Sequence, residues 1–308
     1  MKPTILVSDI IQGHMLAPFE QLGICVPIAE SNNATEATVV ISTAFDDLGA
    51  KAIAGLPDSI RLISNIGAGV DKIDLEAAKQ RGIAVTNTPI VADDTADLAF
   101  ALLLATMRKT SYSEYFLRQN DWATAGSIMG VTPRGKTLGI IGAGTIGSAM
   151  ARRAQAFGLK LCYHGPNRKP ALERELDIHF EPTLTELLAK SDVISLHCPL
   201  TDATRHCINA TSIAAMKQGA FVINTGRGPL INEQDLVDAL NRGHLGGAGL
   251  DVFENEPQVH PELLSNPHVT LTAHIGGATP ECRAAIVKQA IDNAAQYLAT
   301  GALNNRVI

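Results

Sequence analysis

The chain of 308 residues is predicted to be an α/β protein built on two doubly wound parallel sheets. Three observations predict this. A short apolar run, Leu138-Gly-Ile-Ile141, enters a Gly142-x-Gly144-x-x-Gly147 turn, a helix-like segment follows, and a second apolar run begins at Lys160. Continuous apolar runs alternate with amphipathic segments in both halves, as parallel strands covered on both faces require. The length also exceeds what one hydrophobic core commonly organises, so two domains are expected.

In chain order, apolar runs at 4–8, 37–42, 60–66 and 82–86 read as strands of the first half, with a helix at 74–81. A long helical pattern over 93–120 lies between the halves, with Asp93 or Asp94 as its N-cap and an apolar centre at 98–107. The second half shows strand runs at 137–141, 160–163, 193–197, 220–224, 247–250 and 269–272. Helices are expected at 148–157, 183–189, 212–217 and 233–242. A last helix at 280–299 has Thr279 as cap and Pro280 at its first position, and Ile286, Ala290, Ile291, Ala294 and Leu298 make one apolar face.

Composition excludes several classes. A net charge of −6 provides no basic field for nucleic acid. The N-terminal segment reads as a strand rather than a signal peptide. The longest apolar run, 96–107, falls short of the ~20 residues that span a bilayer, so no membrane partner is expected. Five scattered cysteines, an odd number, fit a reduced cytoplasmic protein. His197-Cys198 and His206-Cys207 repeat a His-Cys pair, but neighbours on an extended segment point to opposite sides and zinc wants four convergent ligands. No metal is expected.

Each glycine of the turn has a physical job. Gly142 allows the tight turn, Gly144 lets backbone approach a pyrophosphate, and Gly147 lets helix and strand pack closely. The helix that follows offers free N–H groups and partial positive charge to phosphates. Other strand ends also carry chemistry, where open α/β sheets bind ligands. The run ending at Ile66 leads into Gly67-Ala68-Gly69-Val70-Asp71, a small-residue loop able to present backbone N–H groups to an anion. Further strand ends carry Thr225-Gly226-Arg227-Gly228, Asp251-Val-Phe-Glu254-Asn-Glu256-Pro257 and Ala273-His274-Ile-Gly-Gly277. An arginine between glycines can aim its planar fork at a carboxylate.

These segments resemble the D-isomer-specific 2-hydroxyacid dehydrogenase family over essentially the whole chain. The matching motifs are Gly67-x-Gly69-x-Asp71-x-Ile73-Asp74, Asn87-Thr88-Pro89, the glycine turn with its preceding Gly135-Lys136, Asn224-Thr-Gly-Arg-Gly228, Gly249-Leu-Asp-Val-Phe-Glu-Asn-Glu-Pro257 and His274-Ile-Gly-Gly-Ala-Thr279. The resemblance implies a Rossmann nucleotide domain, 98–277, inserted in a flavodoxin-like substrate domain, 1–97 and 278–308. It implies a catalytic trio of Arg227, Glu256 and His274. His274 would donate a proton to the substrate carbonyl oxygen. Glu256, with Glu254 as the fallback, would orient the imidazole and raise its pKa. Arg227, with His274 and the backbone N–H groups of Ala68 and Gly69, would hold the substrate. Cofactor contacts are implied at Gly142, Gly144, Thr145, Ile146, Gly147, Cys198, Pro199 and Thr225, with Asp251 meeting the nicotinamide carboxamide. Ala273 stands where the family usually has proline. Relatives are usually homodimers through the nucleotide domain, and the 98–107 helix is the candidate contact.

NAD enzymes carry an acid about 20 residues beyond the glycines, on the ribose 2′-hydroxyl. Here His164 stands in its place, and Asn167 and Arg168 follow. With no carboxylate to repel a 2′-phosphate, NADP(H) is expected to be preferred, with NAD(H) as the alternative. Asp93-Asp94-Thr95-Ala-Asp97-Leu-Ala resembles the glyoxylate, hydroxypyruvate, hydroxyphenylpyruvate and 2-ketogluconate reductases. Small 2-oxo acids are therefore the expected substrates, glyoxylate and hydroxypyruvate first, with selectivity expected from the Thr43-Ala44-Phe45 loop. A dinucleotide-sensing corepressor on this fold is the rival, and the presence of all three catalytic residue types weighs against it.

Overall fold

The computed structural model describes residues 2–308, and the chain divides into two compact units, Met1–Val91 with Gly277–Ile308, and Ala92–Gly276. The first division lies ahead of the expected 97/98. The reason is that Ala92–Arg108 is one continuous helix, whose Ala96, Ala99, Leu103 and Met107 share a core with Leu138, Ile140 and Met150.

In the first unit five parallel strands, β1 (Thr4–Val7), β2 (Ile24–Pro27), β3 (Val39–Thr43), β4 (Leu62–Ile66) and β5 (Ala84–Thr86), are ordered β2-β1-β3-β4-β5. That is the flavodoxin-like order. The Pro280–Thr300 helix closes it, with Ile291 and Ala294 packed among Ile5, Val39 and Leu62. Ser64 Oγ donates to Ala290 O at 3.0 Å across the same contact. The chain end then returns to β5, where the Val307 N–H meets Val85 O at 2.8 Å. Strand β2 was not expected from the pattern. It is an edge strand that ends on proline and leaves Ile24 58 % exposed, so no buried face marks it.

The second unit has seven parallel strands: β6 (Thr137–Ile141), β7 (Lys160–His164), β8 (His179–Phe180), β9 (Val193–Leu196), β10 (Ala220–Asn224), β11 (Leu245–Leu250) and β12 (Val269–Leu271). Their order is β12-β11-β10-β9-β6-β7-β8. Strand order reverses between β6 and β9, and the crevice at such a reversal is where doubly wound sheets take ligands. The two-residue β8 was too short to carry a pattern.

Several helical segments depart from expectation. The 93–120 pattern is two helices, Ala92–Arg108 and Thr110–Arg118, broken at Lys109, which takes the left-handed conformation at φ 54°. Asp93 and Asp94 lie within the first turn rather than at the cap, where a negative charge complements the helix dipole. Asp93 and Asp97 there hold Arg153 at 3.1 and 2.6 Å. The 212–217 helix instead spans Ala210–Ala214, because Asn209 caps it by accepting from the N–H groups of Thr211 and Ser212. The 98–107 segment, the expected dimer contact, is largely spent on its own unit: Phe100, Leu102, Leu103 and Met107 are buried in the unit's core. Large apolar side chains exposed nearby are instead Tyr115, Leu117, Trp122 and Met129, the last two 77 % and 82 % exposed.

Candidate active site

The glycine turn leaves β6 at the strand-order reversal. Gly142 has φ +92°, and a Cβ there would lie 2.7 Å from Cys198 N and 2.8 Å from Cys198 Cα. A Cβ on Gly147 would strike Gly142 O. Gly144 differs: as the N-cap of Thr145–Ala156 it has no other atom within 4 Å of its absent Cβ. Two glycines thus serve packing and the third leaves an open face at the N-terminus of a long helix. Nearby strand ends present polar atoms that the chain does not satisfy. Thr225 Oγ1, after β10, and His197 Nδ1, after β9, are buried with no partner. Burial pushes the His197 imidazole down to about 4, so it is neutral. A cradle without a side chain and orphaned polar atoms beside it fit a bound dinucleotide.

At the end of β7, His164 Nδ1 donates to Glu181 O at 2.9 Å. Beyond it Asn167 and Arg168 are exposed. The Arg168 guanidinium lies 5.7 Å over the Phe180 ring and pairs with Glu173 through Nε and Nη2. Glu173 also accepts from Tyr163 OH at 2.7 Å. The hydrogen bond from Arg168, and then that from Tyr163, holds the Glu173 carboxyl down at about 2.

The β11 end and the β12 end meet around Asp251. This buried carboxylate accepts from Thr272 Oγ1 at 2.7 Å and from the N–H groups of Ile275 at 2.8 Å and Gly276 at 2.9 Å. Its carbonyl accepts from His274 N at 2.7 Å. His274 has φ +53°, an unfavourable region for a side chain with a Cβ, and these bonds on both sides of it hold the strained turn. Its Nδ1 then reaches Glu256 Oε2 at 2.8 Å, while Glu256 Oε1 accepts from Phe253 N at 3.0 Å. Burial pushes the Glu256 carboxyl up. The hydrogen bonds from His274 and Phe253, and the charges of His274 and Arg227, outweigh it and leave the group below its ordinary value. An ionised carboxylate only accepts, so Nδ1 carries a proton. Glu254 is turned elsewhere: it accepts from His206 Nε2 at 2.6 Å and from Glu233 N at 3.2 Å.

Arg227 follows β10. Asn224 Nδ2 donates to Arg227 O at 2.8 Å, and a Cβ on Gly228 would strike the Phe253 carbonyl, so the arginine is fixed between two backbone constraints. The histidines of the two His-Cys pairs are engaged separately, His197 Nε2 with Ser195 Oγ at 2.8 Å and His206 with Glu254. Among the described residues no group of three His, Cys, Asp or Glu side chains is placed to hold a metal.

In the other unit, Asn65 Nδ2 donates to Gly69 O at 3.0 Å and Asn87 Nδ2 to Ala68 O at 2.7 Å. Gly67 O accepts from Thr88 N at 3.1 Å, and Gly67 N donates to Thr88 Oγ1 at 2.8 Å. With their carbonyls held, Ala68 and Gly69 present N–H groups. Asn65 and Asp251 are the positioning groups that sequence reasoning missed or assigned elsewhere. A polar residue inside the apolar run of β4 was the available signal for Asn65. Phe45, the selectivity candidate, is 64 % exposed rather than core.

The family model for the D-isomer specific 2-hydroxyacid dehydrogenase NAD binding domain matches residues 100–276, more than half of the chain. The chain belongs to the D-isomer-specific 2-hydroxyacid dehydrogenase family. This dehydrogenase is 42 % identical over 255 residues to the glyoxylate reductase of Thermococcus litoralis, covering 80 % of this chain and 76 % of that one. A crystal structure of a glyoxylate reductase from Paecilomyes thermophila superposes with a TM-score of 0.92 at 35 % identity, over 99 % of this chain and 98 % of that one. The NADPH-dependent glyoxylate/hydroxypyruvate reductase of Sinorhizobium meliloti, in complex with NADP and malonate, gives 0.92 at 33 % identity over 100 % and 97 %. The dehydrogenase is therefore an oxidoreductase whose Rossmann-type domain takes a nicotinamide dinucleotide. Among the described residues no helix is long and apolar enough to cross a membrane.

Proposed function

We propose that this dehydrogenase reduces small 2-oxo acids, glyoxylate and hydroxypyruvate first, to D-2-hydroxy acids with NADPH. The observation that carries this reading is the His274–Glu256 pair at 2.8 Å with Arg227 close enough for its charge to act on Glu256. A proton donor, its orienting carboxylate and a carboxylate-binding arginine are what reduction of a 2-oxo acid needs. The activities named for the Thermococcus and Sinorhizobium relatives favour glyoxylate and hydroxypyruvate.

The dinucleotide, when bound, supplies the hydride. The open face at Gly144, with the first-turn N–H groups at Thr145 and Ile146, would hold its pyrophosphate, and Gly142 and Gly147 would keep the turn tight enough to present it. Cys198, Pro199 and Thr225 would line its path, and Asp251, which clamps the His274 turn, would meet the carboxamide. Arg227, with the Ala68 and Gly69 N–H groups, binds the substrate carboxylate. His274 donates to the carbonyl oxygen through its other ring nitrogen, and Glu256 stabilises the imidazole through Nδ1. Preference for the phosphorylated nucleotide rests on His164 in the acid's place and on Arg168. Glu173 takes the Nε and Nη2 edge of that arginine, leaving the Nη1 side for a phosphate. Exposed Trp122 and Met129 favour a homodimer through this unit, and the free thiols of Cys25, Cys162, Cys198 and Cys207 a reducing cytoplasm.

The test is a panel of 2-oxo acids with NADPH and NADH, followed by nicotinamide absorbance. We expect turnover of glyoxylate and hydroxypyruvate, and kcat/KM at least about tenfold higher with NADPH, the value of one charge-assisted hydrogen bond. A clear NADH preference overturns the nucleotide assignment, and turnover of neither acid overturns the substrate assignment.

A further inference from the structure

The loop that offers Ala68 and Gly69 is aimed from behind. A peptide group is planar and trans, so its N–H points opposite to its C=O, and holding the carbonyl sets the direction of the N–H. The Ala68 N–H shares a plane with Gly67 O, which accepts from Thr88 N at 3.1 Å. The Gly69 N–H shares one with Ala68 O, which accepts from Asn87 Nδ2 at 2.7 Å. Two adjacent residues after β5 therefore aim both N–H groups.

Asn87 is itself fixed by a ring of asparagines that draws on the last helix and the segment after it. Asn87 N donates to Asn305 O at 3.2 Å, Asn305 Nδ2 to Asn293 Oδ1 at 3.0 Å, and Asn293 Nδ2 to Asn87 O at 3.1 Å. The polarity of the ring is forced. Asn87 O only accepts, so Asn293 turns its amino group there and its carbonyl to Asn305. Packing alone does not call for these residues. Asn293 is buried in the middle of the Pro280–Thr300 helix, flanked by buried Ala290, Ile291 and Ala294. Asparagine is a poor helix former there, and its amide is costly to bury without partners. Asn305 has φ +51°, which asparagine tolerates better than most side chains. Glycine would suit that backbone equally but would leave Asn293 Oδ1 without this donor.

We propose that Asn293 and Asn305 are positioning residues for the substrate carboxylate, acting through Asn87 on the Gly69 N–H. A hydrogen bond to a carboxylate weakens steeply as its angle closes, so it rewards a donor already aimed. Opening the ring lets the Asn87 backbone shift, and the Ala68–Gly69 peptide turns with it. The carboxylate does not react, so its contacts are the same in the bound substrate and in the transition state. Their loss raises KM and spares kcat. The proposal rests on the reading that the Ala68 and Gly69 N–H groups take the substrate carboxylate.

The experiment measures KM and kcat of the full-length protein for the 2-oxo acid it reduces fastest, at saturating NADPH or NADH, whichever serves better. Dinucleotide affinity and melting temperature are followed alongside. The Asn305→Gly variant keeps the backbone and its carbonyl at Asn87 and removes only the side-chain bond, so KM should rise about threefold, the worth of one weakened neutral hydrogen bond. Asn293→Leu also leaves Asn87 O without its donor, and should raise KM at least about tenfold, as loss of a hydrogen bond to a charged group would. In both, kcat and dinucleotide affinity should stay within about twofold. Asn87→Ala should raise KM by itself. Adding Asn293→Leu to it should raise KM little further, because the route to Gly69 is already cut. An unchanged KM in Asn305→Gly and Asn293→Leu, with only the melting temperature lowered, overturns the proposal. So does full multiplication of the two KM effects in the double variant, which would mean that Asn293 does not act through Asn87. If Asn293→Leu fails to fold, Asn305→Gly decides, and an unchanged KM there is enough to refute. A wild type that reduces no 2-oxo acid, or reduces glycolaldehyde as efficiently as glyoxylate, shows instead that the carboxylate reading has failed and takes this proposal with it.

Discussion

Glu254 and Glu256 stand two residues apart on one turn and act on different histidines. Glu256 faces His274, whereas Glu254 ties His206 to the start of the Glu233–Asn241 helix. The Glu256→Gln variant should therefore lose roughly 10²-fold in kcat, and His274→Gln 10²–10⁴-fold, with NADPH binding intact in both. Glu254→Gln should keep kcat within about twofold and cost about 1 kcal/mol of stability, read by denaturant titration. A near-normal kcat in Glu256→Gln sinks the assignment. The pH dependence follows from the depressed Glu256 carboxyl. A folded-state pKa below the unfolded value of about 4.3 contributes stability that is present above that pH and lost as pH falls through the folded value. The stability gap between wild type and Glu256→Gln should accordingly be full at neutral pH and shrink in acid below about pH 4. Sequence motif alone favoured the acid before the proline and kept Glu254 in reserve. The choice between them is made by side-chain direction, which two residues in an irregular turn do not reveal by spacing.

At the scale of elements, the glycine turn divides its three glycines by what surrounds them. The spacing suggested three roles, and the packing supports them unequally. A Cβ at Gly147 strikes Gly142 O inside the turn, whereas at Gly144 it meets nothing of the protein. The variant Gly147→Ala should lower thermal stability and dinucleotide affinity together. Gly144→Ala should leave the melting temperature unchanged within about 1 °C, since its φ of −79° suits alanine. It should still weaken dinucleotide binding at least about tenfold, because the added methyl stands where a pyrophosphate approaches. Equal stability losses in both variants, or unaltered affinity in Gly144→Ala, contradicts this division. The His274 turn was less legible. Nothing in the spacing of Asp251 and His274 announces a left-handed histidine held by a buried carboxylate, because the contact joins two strand ends through backbone N–H groups. Edge strand β2 and the break at Lys109 were hidden for a related reason. Neither interrupts an apolar pattern, and both are set by tertiary packing rather than by local preference.

Across the whole molecule, the cores separate by unit. The clusters around Leu138 and Val222 draw only on residues between Ala96 and Leu271. Those around Val40 and Ile5 draw on the first 85 residues and on the chain end, Val287 to Ile308. The sequence showed two alternating halves but not this return, because a helix's apolar face at Ile291 and Ala294 does not say which sheet it covers. That came from family resemblance. The separation has a direct consequence. The segment Ala92–Gly276 carries its whole seven-stranded sheet and both of its clusters, so nothing in its core is lost when the rest of the chain is removed. Expressed alone, it should melt cooperatively and bind NADPH, yet show no turnover of glyoxylate, since Ala68 and Gly69 are gone. Residues 1–91 alone should behave differently. Without the Pro280–Thr300 helix, the sheet face bearing Ile5, Val39 and Leu62 loses its cover, and Ser64 loses its partner Ala290. Exposing that face costs about 25 cal/mol for every Å² of apolar surface. A fragment so small has little stability to spare. It should therefore be soluble and folded only when residues 277–308 are supplied, in trans or through a linker, with circular dichroism and sedimentation as the readouts. A stable monomer of 1–91 alone would show that the returning helix is dispensable to its sheet.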